Sequence, residues 1–183
     1  MTLVPGPVRD PLDLDPHIRA IPDVPEPGIV FRDLTPLLAD GAALARSIDG
    51  LVDAVGASVG PVDAVAGIEA RGFLLGPPVA LRLGVGFVPV RKPGKLPWQV
   101  EAETYALEYG TDTVEVHVDA LVPGQRVLIV DDLIATGGTA AASSRLVDRL
   151  GARVAGFAFL VELTALDGRA ALGDAPVVSL LDY

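Results

Sequence analysis

The sequence contains no cysteine, and its only histidines, His17 and His117, lie far apart in the chain. The absence of cysteine excludes disulfide bonds, cysteine nucleophiles and thiolate metal sites. The first residues lack the apolar core of a signal peptide, and no apolar run approaches the length that spans a bilayer. We therefore expect a cytoplasmic protein without a membrane partner.

Positive charge is also scarce, because 14 Lys and Arg residues stand against 24 Asp and Glu residues, for a net charge of −10. A chain this acidic binds nucleic acid and anionic membranes poorly, so neither is an expected partner. A local cluster of cations can still bind a small anionic ligand. Half of the residues are hydrophobic, as in a folded chain, and the length fits one domain over residues 1–183.

Apolar segments with strand and helix character alternate through most of the sequence. Such alternation, with short turns between segments, indicates an α/β fold with an open parallel sheet flanked by helices and right-handed crossovers. The predicted strands are residues 62–68, 85–90, 126–132, 153–163 and 177–181, and the predicted helices between them are residues 73–83 and 138–150.

The first part of the chain does not follow this alternation. Residues 1–28 are rich in Pro and Asp and predict an N-terminal arm with one short helix near residues 14–20. Residues 33–55 carry aliphatic side chains at helical spacing, and Thr35 followed by Pro36 is typical of a helix start.

A second irregular region lies in the middle of the chain. Residues 105–118 predict an inserted antiparallel strand pair. The preceding segment, residues 91–104, holds three cations, two prolines and the only tryptophan. A connection of this length is often a functional lid, so we interpret residues 91–109 as a flexible lid loop.

Charged side chains stand at the carboxyl ends of four predicted strands, where open parallel sheets bind their ligands. They are Glu69, Arg71, Arg91, Lys92, Asp131, Asp132 and Glu162. Cations and carboxylates are therefore predicted along one edge of the sheet.

The central strand ends in Asp131 and Asp132, and a short turn then leads into a helix. That turn consists of Ala135, Thr136, Gly137, Gly138 and Thr139. Free amides and the dipole at a helix start favour an anion, and glycines let the backbone approach a phosphate, so a side chain at position 137 is expected to block that approach. Ionised carboxylates accept hydrogen bonds from hydroxyls. The motif therefore predicts a ribose 5-phosphate site, and it is neither a Walker nor a Gly-x-Gly-x-x-Gly motif.

Five segments resemble, in the same order and at similar spacing, the adenine phosphoribosyltransferases of the type I phosphoribosyltransferase family. They are PGIVFRDLTPLL, AGIEARGF, RKPGKLP, YALEYG and VDDLIATGGT, within residues 18–183. The resemblance implies the type I fold with an N-terminal hood-like segment. It also implies that adenine and phosphoribosyl pyrophosphate are converted to AMP and pyrophosphate, with magnesium, by a homodimer in purine salvage.

The resemblance assigns the sugar phosphate to the central motif. Residues 135–139 would hold the 5′-phosphate, and Asp131 and Asp132 would bind the ribose hydroxyls. Magnesium would be held mainly by substrate oxygens, with bridging water as a link to the two aspartates. The turn of Glu69, Ala70 and Arg71 would cradle the pyrophosphate, with Arg71 as a catalytic residue.

The resemblance places the base between two segments. Phe31 would stack on adenine, backbone groups of Val30 and Arg32 would read its edge, and Leu163 would close the other side.

The lid supplies the remaining implied residues. Arg91, Lys92 and Lys95 would lie near the pyrophosphate. Glu108 would move a proton on the purine ring as the second catalytic residue, and Tyr109 would contact substrate.

Alternatives remain open from the residues themselves. A 6-oxopurine transferase usually carries an aspartate where this chain has Ala135. A regulator that senses phosphoribosyl pyrophosphate should add a basic face, against which the net charge argues. Arg71 could instead pair with Glu69, Phe31 could pack in the core, and Lys92 could be a solvated loop charge.

Overall fold

The computed structural model describes residues 7, 9–106 and 110–183. In chain order its main elements are β1 (Arg19–Pro22), β2 (Val30–Asp33), α1 (Thr35–Ala39), α2 (Gly41–Ser58), β3 (Ala64–Ile68), α3 (Gly72–Leu83), β4 (Gly86–Val90), β5 (Val100–Ala106), β6 (Thr111–His117), β7 (Arg126–Ile134), α4 (Gly138–Arg149), β8 (Arg153–Glu162) and β9 (Val177–Asp182). Short 3₁₀ turns lie at Asp15–His17, Thr164–Leu166 and Gly168–Leu172.

A five-stranded parallel sheet in the order β4-β3-β7-β8-β9 forms the centre of the molecule. Strand β7 is buried on both faces. Leu128 and Val130 pack towards α2 and α3, whereas Val127 and Ile129 pack towards α4. The continuous apolar run of this strand thus reflects cover on both sides. The predicted open parallel sheet flanked by helices is confirmed.

No helix in the described part of the chain is both long enough and apolar enough to cross a membrane.

The N-terminal region differs from its prediction. The expected helix near residues 14–20 is a single 3₁₀ turn, Asp15–His17, after which β1 pairs antiparallel with β2. The residues that would have continued a helix, from Arg19 onward, are instead hydrogen-bonded to β2. Leu14 and Ile18 are buried in the main core, so this part of the arm packs against the body of the domain.

The helical segment predicted over residues 33–55 is divided at Asp40. Its carboxylate accepts hydrogen bonds from the amides of Ala42 and Ala43, both at 2.9 Å, and thereby caps α2. The start of α1 is held by Asp33, whose carboxylate accepts from the backbone amide and the hydroxyl of Thr35. Thr35 is therefore the first residue of the helix and not its capping acceptor.

The inserted hairpin, formed by β5 and β6, begins at Val100 and is longer than predicted. Its face towards α4 carries carboxylates that pair with arginines of that helix. Glu103 is hydrogen-bonded to Arg145 and Arg149, and Glu101 lies 3.3 Å from Arg149. Because ion pairs replace apolar contacts on this face, the alternation of apolar and polar residues does not mark the start of β5. Seven residues of the predicted lid loop, Val100–Ala106, therefore form a strand.

Helix α3 approaches the sheet closely at two glycines. A Cβ on Gly67 or on Gly76 would lie 2.5 Å from Cε2 of Phe87. The edge of this ring therefore occupies the space that a side chain at either position would need. Phe73 adds an edge-to-face contact to the same ring, with centroids 5.9 Å apart. The contact fixes α3, whose first residue follows the charged turn at the end of β3.

We predict that Gly76→Ala lowers the free energy of unfolding by roughly 1–3 kcal/mol, because its methyl group overlaps the Phe87 ring. Gly56→Ala is the matched control, since it lies in α2 with no atom within 4 Å of an added Cβ. The control should gain up to about 1 kcal/mol from helix propensity. Urea denaturation measures both, and equal stability of the two variants would contradict the close contact.

Candidate functional site

The turn between β7 and α4, residues 135–139, surrounds a cavity of about 90 Å³ that we call the loop cavity. Asp131 and all five turn residues line it. The α4 ladder begins with the amide of Ala141 donating to the carbonyl of Gly137 at 2.9 Å. The amides before it are the ones that a helix leaves without internal partners, and the helix dipole adds positive potential there. The loop cavity is therefore suited to an anion.

Gly137 has a left-handed backbone conformation, with φ of 79°. A Cβ on it would lie 2.3 Å from the carbonyl oxygen of Gly168, and a Cβ on Gly168 would lie 2.3 Å from that of Ala135. The two glycines therefore let the turn pack against the 3₁₀ segment Gly168–Leu172. A side chain at Gly137 would meet the backbone of Gly168, so it would disturb this packing as well as the predicted approach to a phosphate, which stays a prediction.

Glu162 supports the same segment from inside the protein. It is 6% exposed and accepts hydrogen bonds from Arg169, with Nε at 2.7 Å, and from the hydroxyl of Ser179 at 2.9 Å. The hydrogen bond from Arg169 holds the pKa of Glu162 below its usual value. Glu162 therefore stabilises the segment that packs against the turn at residues 135–139. Its position at the end of a predicted strand had instead indicated a ligand-binding role.

The two aspartates at the end of β7 have different surroundings. Asp132 is 5% exposed and forms an ion pair with Arg71. Its amide donates to Oδ1 of Asp131 at 2.9 Å. Burial raises the pKa of Asp131 well above its usual value, and the negative charge of Asp132 raises it further. Neither aspartate caps α4, because this helix begins at Gly138 and its capping residue is Gly137, without a side-chain hydrogen bond.

Arg71 follows β3 and directly precedes α3. The peptide bond between Glu69 and Ala70 is cis. The guanidinium of Arg71 pairs with Asp132, so the alternative pairing with Glu69 is wrong. Just over half of the Arg71 side chain remains exposed. Its cation is therefore available to a ligand above the acidic pair.

Glu69 instead organises the start of the predicted lid. Its carboxylate accepts from the amide of Lys92 at 2.9 Å and from Nε of Arg91 at 3.2 Å. The backbone hydrogen bond from Lys92 is the main cause that lowers the pKa of Glu69. Arg91 also donates to the carbonyl of Lys95 at 3.3 Å. The turn after β3 and the segment after β4 are thus joined.

The ammonium group of Lys92 forms an ion pair with Asp112 and lies 3.4 Å from the hydroxyl of Tyr105. Burial lowers the pKa of Lys92, but the hydrogen bonds to Asp112 and Tyr105 outweigh it and leave the pKa raised. The interpretation of Lys92 as a merely solvated loop charge is therefore wrong.

A second cavity, of about 170 Å³, lies beside β2, and we call it the Phe31 cavity. Its lining consists of Phe31, Arg32, Asp33, Leu34, Thr35, Leu38 and Arg71. Phe31 is 39% exposed, so it is not packed in the core. An apolar cleft with an open aromatic face suits a flat ring.

Of the other residues predicted around the base, Arg32 lines this cavity, whereas Val30 and Leu163 are not among its lining residues. Val30 pairs with Pro22 in the β1–β2 hairpin. The amide of Leu163 donates to the carbonyl of Ile134 at 3.0 Å, and its side chain packs on the main core. The guanidinium of Arg32 stacks on the ring of the C-terminal Tyr183, 3.7 Å from its centroid.

Arg71 links the two cavities. It lines the Phe31 cavity and pairs with Asp132, whose neighbour Asp131 lines the loop cavity. The loop cavity, the two aspartates and the Phe31 cavity therefore follow one another along the carboxyl edge of the sheet. Sequence reasoning missed this role of Arg71 as a bridge, because nothing in the sequence shows which carboxylate it contacts.

Glu108 and Tyr109 lie outside the described residues. Among the described residues, no group of three or more His, Asp or Glu side chains could by itself hold a metal. Two adjacent carboxylates do fit magnesium that takes its other ligands from water and substrate oxygens.

The family model described as the phosphoribosyl transferase domain matches residues 37–174. The adenine phosphoribosyltransferase of Desulfitobacterium hafniense strain Y51 is 57% identical over 172 residues, covering 94% of this chain and 98% of the relative. The enzyme of that name from Acidothermus cellulolyticus is 58% identical over 165 residues, covering 90% of this chain and 92% of the relative.

Solved structures are similar over the same extent. Adenine phosphoribosyltransferase from Thermoanaerobacter pseudethanolicus has a TM-score of 0.89 at 53% identity, covering 93% of this chain and 98% of that one. The Saccharomyces cerevisiae enzyme, complexed with an imino-altritol bisphosphate and adenine, has a TM-score of 0.87 at 43% identity, covering 92% and 97%.

We predict that Asp131→Asn raises the free energy of unfolding at pH 8 and changes it much less at pH 4, near the ordinary pKa of an aspartate, about 3.9. A raised pKa means that the folded protein prefers the protonated carboxyl, so stability is lost as pH rises from the unfolded-state pKa through the folded-state pKa. The asparagine side chain is neutral at both pH values and keeps an oxygen for the Asp132 amide. The expected gain at pH 8 is on the order of 1 kcal/mol, since one pKa unit corresponds to about 1.4 kcal/mol.

Urea denaturation at the two pH values measures this difference. Asp53→Asn, on the exposed face of α2, is the matched control and should leave the free energy of unfolding almost unchanged. A loss of stability in Asp131→Asn at pH 8 would mean that the ionised carboxylate is stabilising, against the direction of its pKa.

Proposed function

The chain belongs to the phosphoribosyl transferase family, and we propose that its two cavities hold the sugar phosphate and the base of one reaction. The enzyme transfers the 5-phosphoribosyl group of phosphoribosyl pyrophosphate to adenine, giving AMP and pyrophosphate in purine salvage. The bridge from Arg71 through Asp132 to Asp131 is the observation that carries the proposed arrangement, because it orders anion site, carboxylates and cleft as a nucleotide requires.

In this proposal the 5′-phosphate binds in the loop cavity. The amides at the start of α4 and the hydroxyls of Thr136 and Thr139 donate to its oxygens. Asp131 and Asp132 accept hydrogen bonds from the ribose hydroxyls. An ionised Asp131 has both oxygens free to accept from hydroxyls, so the donors of the substrate favour the ionised form against the burial that raises its pKa.

The pyrophosphate leaves between the turn after β3 and the segment after β4. Negative charge develops on it as its bond to the anomeric carbon breaks. Arg71 lies at this place with half of its side chain exposed, and Arg91 is joined to the same turn through Glu69. Each donor aimed at such charge typically contributes about 3–4 kcal/mol to catalysis. Lys92 and Lys95 complete the proposed set of cations.

Adenine is proposed to stack on Phe31 in its cavity, with the backbone of β2 at its edge. Leu163 is proposed to approach from the opposite side, Tyr109 to contact substrate, and Glu108 to exchange a proton with the purine ring. Magnesium, where bound, would be held by the pyrophosphate and ribose oxygens near Asp131 and Asp132, and it would neutralise charge on the leaving group. The homodimer and the cytoplasmic location stay predictions.

The reaction is tested by turnover with phosphoribosyl pyrophosphate, magnesium and each purine base in turn. We expect AMP from adenine, with kcat/KM at least about a hundredfold above that for hypoxanthine, guanine or xanthine, because backbone groups that fit the adenine edge are left unpaired by a 6-oxo group. Preference for a 6-oxopurine would contradict the proposed base site.

Glu108→Gln tests the proton transfer separately from binding. We expect kcat to fall by roughly a hundredfold or more, with affinity for phosphoribosyl pyrophosphate retained, since general acid–base catalysis usually contributes that much. Glu101→Gln, on β5 and paired with Arg149, is the control and should keep kcat within about twofold. Unchanged kcat in Glu108→Gln would remove this residue from the mechanism.

A further inference from the structure

Tyr105 connects the inserted hairpin to the turn that surrounds the loop cavity. Its side chain extends from β5 and is buried, with 6% of the residue exposed. Its hydroxyl lies 2.8 Å from Oγ1 of Thr139, and its ring passes 3.5 Å from the place of a Cβ on Gly138. Tyr105 therefore contacts the first turn of α4 with both its ring and its hydroxyl.

The hydroxyl of Tyr105 has one proton and two acceptors within reach. Thr139 is the nearer, at 2.8 Å, and Oδ2 of Asp112 is the other, at 3.2 Å. Asp112 already has other donors, because Lys92 pairs with the same Oδ2 and the amide of Thr113 donates to Oδ1 at 2.8 Å. Because Asp112 already accepts from these two donors, it depends less on a hydrogen bond from Tyr105. The shorter hydrogen bond, from the Tyr105 hydroxyl to Oγ1 of Thr139, is therefore favoured.

The direction of this hydrogen bond decides what Thr139 can do. A phosphate oxygen only accepts hydrogen bonds, so Thr139 can serve a phosphate only by donating its own proton. The Thr139 oxygen can then also accept a hydrogen bond from another group. The Tyr105 hydroxyl, 2.8 Å away, is positioned to donate it. If Thr139 donated to Tyr105 instead, its proton would be turned away from the cavity.

We propose that Tyr105 is a positioning residue that donates to Thr139 and thereby points the Thr139 hydroxyl at the 5′-phosphate. The inference rests on the proposed function, because it takes the loop cavity as the phosphate site. Tyr105 acts through Thr139 and touches neither the reacting atoms nor the base. Its loss should therefore weaken binding at the phosphate end and leave the chemical step unchanged.

Tyr105→Phe tests the inference, because it keeps the buried ring and removes only the hydroxyl. Calorimetric titration with ribose 5-phosphate should show a Kd that is roughly threefold to tenfold higher than in the unaltered protein, the usual effect of one hydrogen bond. The KM for phosphoribosyl pyrophosphate should rise by a similar factor, while kcat, the KM for adenine and the Kd for inorganic pyrophosphate stay within about twofold.

Thr104→Val is the matched control. Thr104 lies next to Tyr105 on the exposed side of β5 and shares a hydroxyl–hydroxyl contact of 2.9 Å with Thr113. Its loss removes one hydrogen bond from the same hairpin without touching the turn. Because each variant loses one hydrogen bond, both should lower the thermal midpoint by no more than a few degrees, and Thr104→Val should keep the parent's Kd for ribose 5-phosphate.

A double-mutant cycle separates positioning from general support of the fold. In a Thr139→Val background, Tyr105→Phe should cause no further loss of ribose 5-phosphate affinity. In a Thr139→Ser background, which restores the hydroxyl, its effect should return.

Additive losses in Thr139→Val and Tyr105→Phe would overturn the proposal. So would weaker pyrophosphate binding with unchanged ribose 5-phosphate binding, because Tyr105 would then act through Lys92. Parent protein that binds ribose 5-phosphate but makes no AMP would contradict the proposed function alone, since the binding cycle still decides the role of Tyr105.

Discussion

The ion pair between Arg71 and Asp132 is the interaction on which the site depends. It joins the turn after β3 to the end of β7, and it lies between the loop cavity and the Phe31 cavity. A carboxylate buried this deeply would be costly without a partner. The cation that compensates it is half exposed and is therefore also able to meet a ligand. One contact therefore stabilises the fold and, in the proposed reaction, also orients a cation towards the substrate.

Asp131 shows the cost of this arrangement. Burial beside a second carboxylate raises its pKa, so the ionised form of this group is poorly suited to its surroundings. Sites often retain such a group because the ligand supplies the missing partners. Here the ribose hydroxyls and a bound cation would do so. The strain at the end of β7 is therefore expected to fall when substrate binds.

Sequence predicted the parts of the molecule whose signal is local. The apolar run of β7 and the glycines of the turn are features of neighbouring residues, and the parallel sheet followed from strand and helix alternation. The start of β5 could not be predicted, because Glu101 and Glu103 face arginines of α4 that lie far along the chain. The partner of Arg71 was open for the same reason. Both the start of β5 and the partner of Arg71 depend on contacts between segments that are distant in the chain. Such contacts cannot be recognised from any one stretch of sequence.

The contact between Gly137 and Gly168 has a consequence for changes in this chain. At each glycine, a carbonyl oxygen of the other segment occupies the space that a Cβ would need. Neither position can therefore accept a side chain unless the opposite backbone moves. Two segments separated in the chain by helix α4 and strand β8 must therefore vary together. If the short turn were transplanted into another scaffold, its sequence would be kept but its conformation would not. That conformation depends on packing against the segment Gly168–Leu172, which would be absent.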